Sequence, residues 1–201
     1  MRYSHKVHIY RRQAHLRLTI LASLAVVALL IFFVKINHIS LGNLFVDLLA
    51  SAYRVSVAYV ISFCLSVIIG LLVTRNRTIE DIFLPILDVL QSFPSFAILP
   101  IAILYFGASD FTAIFFLVIT ILWPVLFNVV GGIKSIRGDV GEAAQVFGAR
   151  GAKKIWSFLL PAILPSIVTG SIIGWGEAWE AIVGAEIIGI SRGIGAFLND
   201  A

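Results

Sequence analysis

Three carboxylates near the end of the chain, Glu177, Glu180 and Glu186, have a spacing that could do chemistry. Glu177 and Glu180 stand at i and i+3, on one face of a helix, where paired carboxylates can serve acid–base work or hold a metal. No His or Cys lies nearby to complete a metal set. Packing or a subunit contact is therefore the favoured reading. Three such charges would repel an anion unless they are turned away or paired with Arg192. His5, His8 and His15 have a loosely metal-like spacing, but they sit among Arg2, Lys6, Arg11, Arg12 and Arg17 and read as a solvated tail. No catalytic residue and no metal ligand is assigned. A Gly-x-x-x-x-Gly-Lys phosphate loop is absent, so the chain does not hydrolyse ATP and is not itself an enzyme.

Other residues fit a pathway better than a reaction centre. Asp88 lies near the start of an uncharged run, and a carboxylate inside a bilayer is costly and often functional; a helix–helix contact is the competing role. Pro94 and Pro100, with Gln91, Ser92 and Ser95, sit in the same region. Proline frees a carbonyl and kinks a helix, and kinks beside a polar pathway can act as gates. Ordinary membrane-helix curvature is the alternative. Asp47 and Arg54, seven residues apart, could pair at the entrance of a span. Gly170 and Gly174 form a G-x-x-x-G pair, suited to a subunit contact or to a seam within the chain. Cys64 reads as a small packing residue.

The elements that must position these residues follow from composition. Of 201 residues, 60% are hydrophobic and 13% charged, about half the charge of a soluble domain. Such a chain is neither a water-soluble globule nor disordered, and one Cys excludes a disulfide scaffold. Uncharged runs cover 18–34, 55–74, 89–109, 111–133 and 155–176. Each approaches the ~20 residues needed to cross a bilayer, and lipid forces such segments into helices. The expected fold is an all-α membrane protein, a polytopic bundle of about five spanning helices. A retained anchor fits 18–34 better than a signal peptide, because its basic leader is long and no small-x-small cleavage site follows.

Orientation follows from Lys and Arg. With the N-terminus in the cytoplasm, twelve of the fifteen fall on the inner side, and only Lys35, Arg54 and Arg192 fall outside. The net charge of +4 marks orientation rather than nucleic-acid binding. Residues 1–17 read as a basic cytoplasmic tail and 18–201 as a membrane domain, in which 177–201 is a polar, Gly-rich outer segment.

The longest polar stretch inside the bundle is 134–154, on the cytoplasmic side. Asp139 and Glu142 come close to a capping box. Glu142, Ala143, Ala144, Gln145, Val146 and Phe147 favour a short helix with an apolar patch, and Gly148 and Gly151 break it. Lys153, Lys154 and Trp156 then open the next helix at the membrane surface. A short amphipathic helix held outside the bilayer could pass motion to a soluble partner; a plain surface loop is the alternative.

This segment resembles the EAA loop of permease subunits of binding-protein-dependent ABC importers. The family pattern runs EAA, three residues, Gly, nine residues, then Ile-x-Leu-Pro. Glu142, Ala143, Ala144, Gly148, Leu160 and Pro161 fall on it, and Phe158 stands at the Ile position. The stretch 85–107, with Pro94, Leu99, Pro100 and Tyr105-Phe106-Gly107, is similar to the sulfonate, taurine and nitrate branch. So is Ala185-Glu186 followed by Gly193-Ile194-Gly195.

The resemblance implies an importer half in the inner membrane, multi-pass, carrying a small anion. Coupling would run through Glu142, Ala143, Ala144, Phe147, Gly148, Gly151, Leu160 and Pro161. The pathway would use Asp88, Gln91, Ser92, Pro94, Ser95 and Pro100. Implied partners are a cytoplasmic ABC ATPase dimer binding ATP and Mg, a second permease subunit or domain, an extracytoplasmic solute-binding protein and membrane lipid, with no nucleic acid. The chain itself holds no cofactor. Branch members carry a sixth span after the Gly-x-Gly segment, and the sequence stops at Ala201 before one. The expectation is a fragment, the first part of a fused permease, or a truncated product. A non-transporting scaffold and, less favoured, an intramembrane enzyme built on the outer carboxylates stay open beside the importer reading.

Overall fold

A computed structural model describes residues 23–24, 41–136, 151–190 and 192–200. The expected tail and nearly all of the run 18–34 lie outside them, as do Glu142, Ala143, Ala144, Phe147 and Gly148. Residues 1–44 with Ala201 form one compact unit and Phe45–Asp200 a second. In the first, the described residues are the helical Ser23 and Leu24 and the opening of a long helix.

The described elements are all helical, in the order α1 (Leu41–Val73), α2 (Arg77–Gln91), α3 (Ser95–Phe106), α4 (Asp110–Ser135), α5 (Gly151–Lys154), a π-helical turn (Ile155–Leu159), α6 (Leu160–Ile188) and α7 (Ile194–Asp200). Three are long and apolar enough to cross a membrane: Gly42–Val73, Asp110–Ser135 and Ile155–Ile188. The chain is a helical membrane bundle.

The third expected span requires correction. Residues 89–109 are not one helix. α2 and α3 meet at a break bent by 76°. Pro94 forces this: it has no N–H for a helical bond and pushes Phe93 towards extended backbone, and it caps α3 with ψ 115°. α2 starts well before the apolar run, where Asn76 accepts a hydrogen bond from Thr78 N at 3.1 Å. Pro100 lies inside α3 without ending it.

Two other helices overrun their apolar stretches. α1 begins ahead of Asp47 and Arg54, and α6 passes through Glu177, Glu180 and Glu186. Residues 177–188 are thus a continuous helical extension of the fifth run. Charge ended the apolar runs on paper, but Arg54 and Glu186 neutralise each other in the interior and cost the helices nothing in continuity. Cys64 is exposed on the outer face of α1 rather than packed.

α4 and α6 build the core. Phe116, Leu117, Ile121 and Val125 on α4 bury against Ile163, Ile167, Ala178 and Ile182 on α6. Glycine makes this approach possible. A Cβ on Gly170 would stand 2.8 Å from Asn128 Cβ and 2.9 Å from Pro124 O, and one on Gly174 would stand 3.1 Å from Ile121 Cγ2. The G-x-x-x-G pair is therefore a seam within the chain. Hydroxyls hold α1 to α4: Ser66 Oγ donates to Leu122 O at 3.0 Å, and Ser62 Oγ shares its one proton between Ala58 O at 2.8 Å and Val118 O at 3.0 Å. Replacing both serines by alanine should lower stability by about 1 kcal/mol, since such bonds in membranes average about 0.6 kcal/mol each; thermal unfolding in micelles measures it.

Candidate functional site

The break between α2 and α3 opens a cavity of about 350 Å³. Gln91, Ser92, Phe93, Pro94 and Ser95 form one wall. Thr120, Trp123 and Pro124 from the middle of α4 and Glu177 from α6 complete it. Four expected pathway residues, Gln91, Ser92, Pro94 and Ser95, are thus gathered round one hollow. Asp88 and Pro100 are not on its wall; Asp88 Oδ1 accepts from Gln91 Nε2 at 3.2 Å on the exposed side of α2.

Two of the three hydroxyls on the cavity wall have already used their protons. Ser92 Oγ donates to Val89 O at 2.6 Å and Thr120 Oγ1 to Phe116 O at 3.1 Å. These backward bonds follow from local chemistry: both hydroxyls turn to a carbonyl one turn earlier in their own helix.

A second cluster lies at the end of the bundle that the charge distribution places outside. Arg54 is 4% exposed and Glu186 is 2% exposed. Arg54 Nη1 donates to Glu186 Oε1 at 2.8 Å, and Nε donates to Asp110 Oδ1 at 2.8 Å. Arg54 therefore pairs across the fold, not with Asp47 on its own helix. Its Nη1 also donates to the carbonyl of Arg192; the backbone of Arg192, not its side chain, joins the network. Ser51 Oγ reaches both carboxylate oxygens of Glu186, at 2.8 and 2.9 Å, and Gly195 N donates to Oε2 at 2.9 Å.

Glycine shapes this cluster as well. Gly193 has φ +137°, and a Cβ there would fall on the Glu186 carboxylate. A Cβ on Gly195 would stand 2.8 Å from Glu186 Cβ. The sequence spacing missed this network because its members lie 132 residues apart. One signal was present: Arg54 and Glu186 are lone opposite charges in apolar stretches that topology puts at the same end.

Glu177 and Glu186, nine residues apart on α6, face roughly opposite sides and do not share a site. Glu186 is engaged by Arg54, Ser51 and Gly195, whereas Glu177 looks onto the cavity.

At the other end of the bundle, a hollow of about 580 Å³ lies between the start of α2 and the end of α4. Lys134 Nζ meets Glu80 Oε1 there at 2.7 Å, with Arg75, Arg77 and Asp81 around it. Lys134 begins the stretch 134–154. On the far side of that stretch, Gly151 has φ +54°, the left-handed backbone that suits glycine. Leu160 and Pro161 open α6 straight after the π-helical turn. Pro161 has no N–H and its ring crowds the carbonyl four residues back; the wider turn, with Leu160 N on Ile155 O, accommodates it.

Residues 62–201 match the family model described as binding-protein-dependent transport system inner membrane component. The chain is 32% identical over 160 residues to the taurine transport system permease protein of Escherichia coli K12, covering 80% of this chain and 58% of that one. It is 32% identical over 155 residues to the nitrate import permease protein of Synechococcus elongatus, covering 77% and 56%. It is 36% identical over 161 residues to the bicarbonate transport system permease protein of the same species, covering 79% and 58%. The chain thus spans under three fifths of the length of these relatives.

Proposed function

Because the chain belongs to the family of binding-protein-dependent transport system inner membrane components, we propose that it is a permease subunit of an ABC importer. In this reading it forms part of the pathway for a small solute bearing an oxoanion, and it resides in the inner membrane as a multi-pass protein. The named transport roles of the taurine, nitrate and bicarbonate relatives support the solute class. The observation that carries the pathway is the hollow at the α2–α3 break, where Gln91, Ser92, Ser95, Thr120 and Glu177 stand beside Phe93, Trp123, Pro94 and Pro124. Broken helices at mid-membrane depth persist where they line a cavity.

Energy would come from a cytoplasmic ATPase dimer, which binds ATP and Mg. Its docking ledge is the stretch 134–154, with Glu142, Ala143, Ala144, Phe147 and Gly148 at the contact and Gly151, Leu160 and Pro161 joining it to the bundle. The match to the EAA pattern supports this assignment. A second permease subunit or domain would complete the pathway, and an extracytoplasmic binding protein would deliver the solute.

The test is coupling. Gly148→Asp puts a charge and a side chain where the pattern requires glycine. It should abolish ATP-driven uptake in proteoliposomes while membrane insertion stays normal. Glu142→Ala should weaken co-purification with the ATPase. Normal uptake by the Gly148→Asp protein would refute the ledge.

A further inference from the structure

Resting on that importer reading, we propose that the cavity at the α2–α3 break is a binding site for a compact zwitterion, a solute with an ammonium at one end and an oxoanion at the other, and that Glu177 selects the ammonium. The donor and acceptor inventory of the wall carries this. Glu177 lines the cavity and, among the described residues, accepts no hydrogen bond and forms no ion pair. No Lys or Arg among the described residues lines the same wall. Ser92 and Thr120, their protons spent on Val89 O and Phe116 O, can offer only lone pairs to an occupant.

Carboxylate and lone pairs together demand a donor-rich cation. A bare oxoanion has no proton to give them, and its charge would be repelled by Glu177. A primary ammonium brings three donors, and the Trp123 ring on the same wall can add a cation–π contact. The opposite need is met on the α2–α3 side. Ser95 Oγ has no hydrogen-bond partner among the described residues, and Gln91 Nε2 uses one proton on Asp88 and retains another. These are donors for an oxoanion. A solute with both ends satisfies the wall; nitrate, bicarbonate or a plain alkanesulfonate satisfies half of it.

The experiment is saturation binding of taurine, ethanesulfonate and nitrate to the full chain, reconstituted with its ATPase in nanodiscs. Taurine and ethanesulfonate share the sulfonate and differ in the ammonium. Taurine should bind at least about tenfold tighter than ethanesulfonate, the size expected of one charged hydrogen bond. E177Q should remove that preference by weakening taurine alone. E180Q, one turn along α6 and off the cavity wall, should leave it intact. Equal affinity of the wild type for ethanesulfonate or nitrate and for taurine overturns the assignment. So does an unchanged taurine affinity in E177Q, or an equal loss in E180Q. ATPase association in the same nanodiscs separates the two levels: if it persists while the preference is absent, the importer reading stands and the zwitterion site falls. If the wild type does not hold the ATPase, the importer reading and the site fall together.

Discussion

Glu186→Ala is expected to cost about 3 kcal/mol, because it takes the buried carboxylate from a buried guanidinium and leaves it only the exposed Asp110. Arg54 is 4% exposed, and its other carboxylate partner, Asp110, has a side chain 64% exposed. Removing Glu186 leaves Nη1 with the Arg192 carbonyl, leaves Ser51 Oγ without its carboxylate and takes the acceptor from Gly195 N. Reversible unfolding in micelles, followed by tryptophan fluorescence, reads the loss. Replacing both partners, Arg54→Met with Glu186→Leu, should recover most of it, since an apolar pair of similar volume often matches a buried ion pair. A loss below about 1 kcal/mol in the single variant would show that Asp110 alone neutralises Arg54. The network ties α1, α4, α6, the Arg192 backbone and the start of α7 at one end of the bundle.

Gly170→Val is the second large expectation. The new Cβ would sit 2.8 Å from Asn128 Cβ, 2.9 Å from Pro124 O and 3.0 Å from Val125 Cα. Two of these three atoms are backbone and cannot swing aside. Overpacking of this kind costs about 1–3 kcal/mol, and the upper end is expected because the obstruction is rigid. α4 and α6 must separate, which also disturbs Pro124 on the cavity wall. Gly131→Ala is the matched control: nothing lies within 4 Å of its Cβ, so it should be neutral or stabilising. If both variants unfold at the wild-type temperature, the close approach of α4 and α6 is not a constraint on the fold.

The parts legible in the sequence were those written in local patterns. Apolar length located α4 almost to its ends, and the Pro94 region was recognisable as a kink. The 76° bend was not legible, because a proline states that a helix must break but not where the chain goes next. The true extents of α1 and α6 were hidden by Arg54 and Glu186, charges whose neutralisation is a tertiary event. The cavity residues Gln91, Ser92, Pro94 and Ser95 were found as a linear cluster. Thr120, Trp123 and Glu177 were not, since they join it from α4 and α6. Gly170 and Gly174 announced a close contact without naming the partner helix, a choice that Ile121, Pro124 and Asn128 on α4 settle.

The π-helical turn at Ile155–Leu159 has a geometric corollary for the proposed coupling ledge. Its Leu160 N to Ile155 O bond winds one surplus residue into the helix. Since each α-helical residue advances about 100° round the axis, the helical residues Gly151–Lys154 are turned by that amount relative to an unbroken helix. Gly151, Lys153 and Lys154 therefore point along a different compass bearing from the one that uniform periodicity counted back from α6 would assign them. Shortening the turn by one residue would swivel Gly151–Lys154 like a wrist while leaving α6 where it stands.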